Sequence, residues 1–373
     1  MHNTAPVGIG IIGCGNISEA YLLAARKFPI LAIRGLADLN PAAAQARAGQ
    51  FGLRACSVAE LLADATVDII VNLTVPAAHV EVGLQALAAG KHVHSEKPLG
   101  LTVQDARRLT DAAAPTGLRV GCAPDTFLGG SHQTCRDIID SGEIGQVMGG
   151  SAFFMCPGHE RWHPSPAFYY AQGGGPMLDM GPYYVTALVN LLGPVRRVSG
   201  VATRARAQRT ITSQPLNGQV IPVEVATHVT GTLEFAHGAV ISVTMSFDVP
   251  KHRHAPIELY GSQASLSLPD PNFFFGPIEM ANPGGDWKQL PTQHGFSDGN
   301  YRMLGAADMA HAIRDQRPHR ASGALALHAL EVMQAFGESS AVGRHIDIHS
   351  TVERPAPMRT RFADGWQLGQ AIA

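Results

Sequence analysis

The chain has 373 residues, 45% hydrophobic and 16% charged, with a net charge of -2, a globular composition too long for one ordinary core, so two domains are expected. The near-zero charge excludes bulk attraction to nucleic acid or to an acidic membrane, and the run Arg204, Arg206 and Arg209 reads as a solvated strand face. Five scattered cysteines, Cys14, Cys56, Cys122, Cys135 and Cys156, form no C-x-x-C pair, which argues against a disulfide framework or a thiolate zinc site and fits a reducing cytosol.

No basic segment precedes the first apolar stretch, Val7–Ile12. It is too short for a secretory core or a membrane span, so a cytoplasmic protein is expected. That continuous run reads as a buried strand. Residues 18–27 read as a helix, Leu31–Ala37 as a strand and 41–50 as an alanine-rich helix. A short strand near 53–56, a helix over Val58–Ala63 and a strand over 68–75 follow. Val80, Leu84 and Leu87 recur at helical spacing, with Gly90 placed as a C-cap. Segments 92–96 and 119–123 complete the strands. This alternation predicts an α/β fold with a parallel, doubly wound sheet.

After Pro124 the pattern changes. A helix is expected over 132–141, ending before Gly142, then a strand over 147–154. Residues 156–182, rich in proline, glycine and aromatics, read as loops around a site. From 225 to 247, Val229, Leu233 and Phe235 share one parity, and Ile241, Val243, Met245 and Phe247 another. With His237-Gly238 as the turn, this predicts an antiparallel hairpin. Residues 304–314 and 325–339 read as helices. The expected division is 1–124 for a dinucleotide-binding domain and 125–373 for a substrate and oligomerisation domain on an open, mainly antiparallel sheet.

Gly13-Cys14-Gly15-Asn16-Ile17-Ser18 follows the first strand and opens the first helix. It matches G-x-G-x-x-G with Ser18 in the third position. Gly13 permits the turn, Gly15 lets backbone approach a pyrophosphate, and Ser18 is small enough for helix–strand packing. The helix N-terminus offers N–H groups and a positive dipole end to the phosphates. Asp38, twenty residues after Ser18, is placed to accept hydrogen bonds from an adenine ribose and to repel a 2′-phosphate. Leu39 and Asn40 beside it offer no cation. NAD is therefore favoured over NADP. Gly13, Gly15, Asn16, Ile17, Asp38, Thr74, Glu96 and Lys97 form the expected cofactor set.

Three further segments complete a pattern: Glu96-Lys97-Pro98 after the strand at 92–96, Gly173-Gly174-Gly175, and Asp179 with Tyr183 four residues on. With the glycine loop, these resemble the glucose–fructose oxidoreductase and inositol dehydrogenase family, also called Gfo/Idh/MocA. The resemblance covers nearly the whole chain. It implies an N-terminal Rossmann domain, a C-terminal α/β domain with an open sheet, and a homodimer or homotetramer joined through that sheet. It carries the family's lysine onto Lys97 and its aspartate onto Asp179. Many members have a histidine where this chain has Tyr183; some use tyrosine there.

The activity so implied is NAD-dependent oxidation of a carbinol of a sugar or cyclic polyol, with Lys97, Asp179 and Tyr183 as catalytic candidates. Free tyrosine has a pKa of about 10, and a nearby ammonium lowers it. Lys97 could do this for Tyr183, or stabilise a developing alkoxide itself. Asp179 could hold Lys97 or bind a neighbouring hydroxyl. On a helix Asp179 and Tyr183 lie on one face, with Tyr184 as the fallback. Within His159-Glu160-Arg161-Trp162-His163-Pro164, the ring of Trp162, or that of Tyr170 nearby, suits the face of a sugar. Asp125 and Thr126 are further substrate contacts. His252 and His254 lack the spacing of a metal site, so no metal is expected. Two other readings use the same residues: an NAD-dependent glycoside hydrolase acting by transient oxidation, and a non-catalytic NAD or sugar sensor.

Overall fold

The computed structural model describes residues 5–358. These fall into two compact units. The first comprises the chain through Gly129, His294–Leu327 and the segment from Pro355; the second comprises Gly130–Gln293 and His328–Arg354. The change of unit comes five residues after the expected boundary at 124, and the chain returns to the first unit at His294 before completing the second with His328–Arg354.

The first unit opens with β1 (Val7–Ile12), α1 (Asn16–Ala25), β2 (Leu31–Ala37), α2 (Pro41–Phe51) and α3 (Val58–Ala63). It continues with β3 (Ile69–Asn72), α4 (His79–Ala88), β4 (His92–Ser95), α5 (Val103–Ala113) and β5 (Val120–Cys122). The strands form a five-stranded sheet in the order β2-β1-β3-β4-β5 with every pair parallel. All six residues of β1 are buried, as its unbroken apolar run requires of a strand covered on both faces. The helices start where the side chains permit. Asn40 caps α2 ahead of Pro41, and Ser57 with Glu60 forms a capping box on α3, satisfying N–H groups that the first turn leaves unpaired.

Two sequence expectations change here. Residues 53–56 make only a single bridge, Ala55 to Leu36 at the outer side of β2, and no strand. Helix α5 was not anticipated. Thr102 caps it and Ala106, Leu109 and Ala113 face inward.

The second unit begins with α6 (Gly130–Asp140), β6 (Val147–Met155), α7 (Pro176–Leu192), β7 (Val195–Thr203), β8 (Gln208–Thr210) and β9 (Val220–Pro222). It goes on through β10 (His228–Phe235), β11 (Val240–Ser246), β12 (Ile257–Gly261), β13 (Ser265–Leu268), β14 (Ile278–Ala281) and β15 (Lys288–Leu290). The chain then forms α8 (Leu304–Arg314), α9 (Gly323–Val342) and β16 (Ile346–Asp347). Nine strands make one sheet, in the order β15-β14-β13-β12-β6-β11-β10-β7-β16. Its pairs are antiparallel except β6 with β11. The β10–β11 register sets Val229 opposite Met245 and Leu233 opposite Ile241. All four are buried, as the alternation of their parities demands. β8 and β9 form a separate two-stranded ribbon. Loops occupy the glycine- and aromatic-rich stretch only up to Gly175, where α7 begins.

In the first unit, 294–327 covers the β5 side of the sheet. Cys122 N–H donates to Ala321 C=O at 3.1 Å, and Gly121 forms a bridge with Ser322. A Cβ on Gly121 would meet Met309 at 2.5 Å, so only glycine lets this segment settle. Among the described residues, no helix is long and apolar enough to cross a membrane.

Candidate active site

Within the first unit, the strand order puts the topological switch between β1 and β3, where crevices open at the carboxyl ends of strands. The glycine loop lies there. Gly13 has φ 105, and its N–H donates to Ala37 C=O at 2.8 Å. A Cβ at Gly13 would come within 2.5 Å of the Leu73 backbone. Gly15, at the N-cap of α1, contrasts with it. It brings no side chain to the first N–H groups of the helix, and a Cβ there would meet nothing within 4 Å. The two glycines thus have different reasons: one a close backbone approach, the other open space at a helix N-terminus. Ser18 is fully buried and its hydroxyl donates to Gly15 C=O at 2.6 Å. Asn16 and Ile17 follow on the exposed side of the first turn.

Asp38 ends β2 beside this loop. One carboxylate oxygen accepts from Cys14 N–H at 2.7 Å and the other from Asn40 N–H at 2.8 Å. The buried Cys14 thiol is pushed up to about 11 by burial and by the charge of Asp38. A cation that sequence order did not reveal approaches the loop. Arg47 on α2 donates to Gly15 C=O at 3.3 Å, while Glu19 holds its guanidinium at 3.0 Å. Thr74 donates its hydroxyl to the buried Asn72 side chain at 2.7 Å.

The Glu-Lys-Pro segment leaves β4 with a cis Lys97-Pro98 bond. Glu96 is engaged within the protein. One oxygen accepts from Tyr21 O–H at 2.7 Å and the other from Lys97 N–H at 2.9 Å. Tyr21 is fully buried on α1, so the helix carrying the glycine loop is tied to the lysine segment. Sequence reasoning missed Tyr21. The cue was its position three residues past Ser18, on the face of α1 turned to the sheet.

In the second unit the triple glycine has a steric reason. A Cβ on Gly174 would lie 2.5 Å from Phe168 C=O and 2.6 Å from Tyr169 C=O, while Gly173 and Gly175 have φ 85 and φ 89. The 168–170 turn therefore packs directly against the N-terminus of α7. Asp179 sits in the first turn of that helix, where the dipole favours a carboxylate. Its Oδ2 lies 3.1 Å from His159 Nε2. The Trp162 indole N–H donates to His159 Nδ1 at 3.0 Å. The His159 ring is buried against Tyr169 and Phe247, with centroids 4.4 and 4.5 Å away. Tyr183 follows Asp179 by one turn of α7 and is buried.

A buried ionic cluster anchors this loop. Arg209 on β8, its side chain 2% exposed, pairs with Glu160 at 2.7 Å and with Asp248. It also donates to Pro157 C=O at 3.0 Å and Phe247 C=O at 2.8 Å. Tyr170 donates its hydroxyl to Glu160 and accepts from His159 N–H at 3.1 Å. Arg209 is therefore not part of a solvated strand face. Two carboxylates and two carbonyls replace its water, and the β8–β9 ribbon exists to present it.

Other expected positions also read differently. Tyr170 is fully buried with its hydroxyl bound to Glu160, so its ring presents no open face; Trp162 is 61% exposed. Burial, with the charge of Asp270 adding to it, pushes the Tyr184 hydroxyl well above its ordinary pKa. Asp125 is 1% exposed, and it accepts from Met303 N–H at 3.2 Å and Gly305 N–H at 2.9 Å, capping the start of α8. Burial raises its pKa to about 6 against those two hydrogen bonds. Thr126 beside it is 2% exposed. His252 and His254 stack on each other at 6.0 Å. Among the described residues, no group of three or more His, Cys, Asp or Glu is placed to hold a metal ion.

Comparison with known proteins agrees with this geometry. The model of the oxidoreductase family with an NAD-binding Rossmann fold matches residues 7–123, and that of the GFO/IDH/MocA C-terminal domain matches residues 132–267. A dTDP-3,4-didehydro-2,6-dideoxy-alpha-D-glucose 3-reductase of Streptomyces violaceoruber is 31% identical over 70% of this chain and 72% of its own. A 1,5-anhydro-D-fructose reductase of Ensifer adhaerens is 30% identical over 46% of this chain; the match spans about half of that relative, 52%. Levoglucosan dehydrogenase in complex with NADH superposes with a TM-score of 0.80, at 19% identity, over 92% of this chain and 100% of that one. An NAD-binding oxidoreductase from Klebsiella pneumoniae does so with a TM-score of 0.81, at 21% identity, over 92% and 100%.

Proposed function

Because the chain belongs to the GFO/IDH/MocA oxidoreductase family, we propose that it is an NAD-dependent dehydrogenase that oxidises a carbinol of a sugar or cyclic polyol. The observation that carries this reading is the Asp179 carboxylate, set at a helix N-terminus and hydrogen-bonded by His159, in a chain that also holds an open dinucleotide cradle at Gly15. The printed activities of the two relatives, both reductases of sugar derivatives, support the substrate class. In the cradle, Gly13, Gly15, Asn16 and Ile17 hold the pyrophosphate, Asp38 takes the ribose hydroxyls, and Thr74, Glu96 and Lys97 complete the set. Asp38 favours NAD over NADP in this reading, and the nearby Arg47 is paired with Glu19.

The bound nicotinamide supplies the hydride acceptor. The Lys97 ammonium stabilises the alkoxide as the hydroxyl proton leaves, Tyr183 is the partner in proton handling, and Asp179 fixes a neighbouring hydroxyl. Trp162 lends its exposed ring to the sugar face. Lys97→Ala should lower turnover by about 10²- to 10⁴-fold while calorimetry finds NAD binding unchanged. Near-normal turnover in that variant would contradict the assignment.

We place the protein in the cytoplasm and infer a homodimer or homotetramer. The face of the nine-stranded sheet that carries exposed Val201, Val240 and Tyr260 serves as the joint. Light scattering checks the mass, and a monomer at micromolar concentration would refute the assembly.

A further inference from the structure

The histidine that meets Asp179 comes from residue 159, twenty positions earlier, and its two ring nitrogens have fixed and opposite duties. An indole N–H is a donor only. With Trp162 donating to Nδ1 at 3.0 Å, Nδ1 must be an acceptor, so the proton of the neutral ring resides on Nε2. That is the atom 3.1 Å from Asp179 Oδ2. A proton added to His159 would turn Nδ1 into a second donor facing the indole N–H, and that hydrogen bond would break. Trp162 thus sets which nitrogen of the ring carries the proton, and His159 in turn gives Asp179 a hydrogen bond that fixes the plane of the carboxylate.

The charged and titratable groups around the ring divide by element. Asp179 faces it from α7. Glu160 and His163 lie on its own loop, with Tyr170 on the turn that follows. Arg209 on β8 pairs with Glu160 and with Asp248 after β11 in the buried cluster. His163 packs on Trp162 with centroids 5.3 Å apart, and burial lowers its pKa. His159, buried against Tyr169 and Phe247, cannot swing away from Asp179 without opening that packing. The exposed end of the chain of hydrogen bonds is Trp162.

We propose that His159 is the positioning residue of the proposed dehydrogenase site: with its tautomer set by Trp162, it holds Asp179 as the oriented acceptor for a substrate hydroxyl. The proposal rests on the dehydrogenase reading for its catalytic consequence but not for the tautomer, and the test separates the two. At about pH 8, above the reference histidine pKa, nitrogen-15 NMR of the full chain should show one ring, the one missing from His159→Gln, with its proton on Nε2 and Nδ1 bare, and Trp162→Phe should relax that preference. A proton on Nδ1 of that ring, or an unchanged ring in Trp162→Phe, overturns the tautomer assignment whether or not a substrate is found.

With NAD and a monosaccharide or inositol that the parent turns over, His159→Leu should lose about ten- to hundredfold in kcat, the worth of a hydrogen bond to a charged group, with the NAD dissociation constant unchanged. His159→Gln, whose amide can make both hydrogen bonds, should recover most of that loss. No recovery in His159→Gln, or a normal kcat in His159→Leu, overturns the positioning role. If no sugar or polyol reduces NAD, the dehydrogenase reading fails by itself, and the NMR measurement still decides the hydrogen-bond assignment.

Discussion

His94 shows how a single side chain can work against its fold. It is fully buried on β4, and neither ring nitrogen has a partner. Gly121 and Gly305 press on its ring from two sides. Burial, with His319 adding to it, lowers its pKa from 6.5 to about 3. The native ring is therefore neutral at every pH at which the unfolded chain would take up a proton. Stability is lost progressively as pH falls below 6.5 and the loss levels off only near 3. His94→Leu removes two unsatisfied polar atoms, whose burial costs about 1–3 kcal/mol each when unpaired. The variant should match or exceed the parent at pH 7, and its advantage should widen towards pH 4. Urea unfolding at a series of pH values measures this; a parallel pH dependence in the two proteins would refute the assignment.

Asp38 and Tyr21 belong to the same scale. Asp38→Ala should cost NAD about ten- to hundredfold in affinity, the worth of charge-assisted hydrogen bonds, and cost NADP less. Equal losses measured by calorimetry would remove the ribose argument. Tyr21→Phe leaves one Glu96 oxygen without its donor. Turnover should fall while the melting temperature drops only modestly, since Glu96 still accepts from Lys97 N–H.

At the scale of elements, the β8–β9 ribbon is the least expected feature, and its purpose is Arg209. Arg209→Met leaves Glu160 and Asp248 buried beside each other with no cation between them. Breaking a buried pair in this way costs about 3–5 kcal/mol. Denaturant unfolding should record a loss of that order, and a loss below about 1 kcal/mol, the level of an exposed pair, would contradict the burial described. The sequence reading of this arginine failed because charge runs are usually solvated, and the partners that bury it lie 49 and 39 residues away. The same distance in sequence hid the His159–Asp179 pair. What could be read were features with local causes: the glycine loop, the β10–β11 parities, the cap at Gly90 with φ 75 and the Gly142 stop with φ 80. Helix α5 was legible in the spacing of Ala106, Leu109 and Ala113, but its weak apolar face lies among charged residues. The triple glycine was noticed as a motif; its reason, the carbonyls of Phe168 and Tyr169, needed coordinates.

At the scale of the whole molecule, both units hide neutral histidines. Burial lowers the pKa of His94 to about 3 and those of His311 and His319 to about 4 in the first unit. In the second it lowers His132 to about 4 and also depresses His328. Asp125 and Asp270 pull the other way, since burial raises both. Native chains therefore bind fewer protons than unfolded ones between about pH 6.5 and 4, and net stability should fall through that range. A flat stability curve from pH 7 to 5 would contradict it. The segment 294–327 explains why the domain boundary was not legible. Its sequence continues the second half of the chain, whereas Gly121 and Asp125 receive it in the first unit.

The central claim is the dehydrogenase activity, and one measurement tests it most directly. Purified protein is mixed with NAD, and separately with NADP, against monosaccharides, inositols and glycosides, and the absorbance of reduced nicotinamide is followed. The account predicts reduction of NAD, and less of NADP, by a free sugar or polyol. It is contradicted if no free sugar or polyol reduces either nucleotide while NAD binding remains intact, or if a glycoside releases its aglycone in the presence of NAD without net reduction.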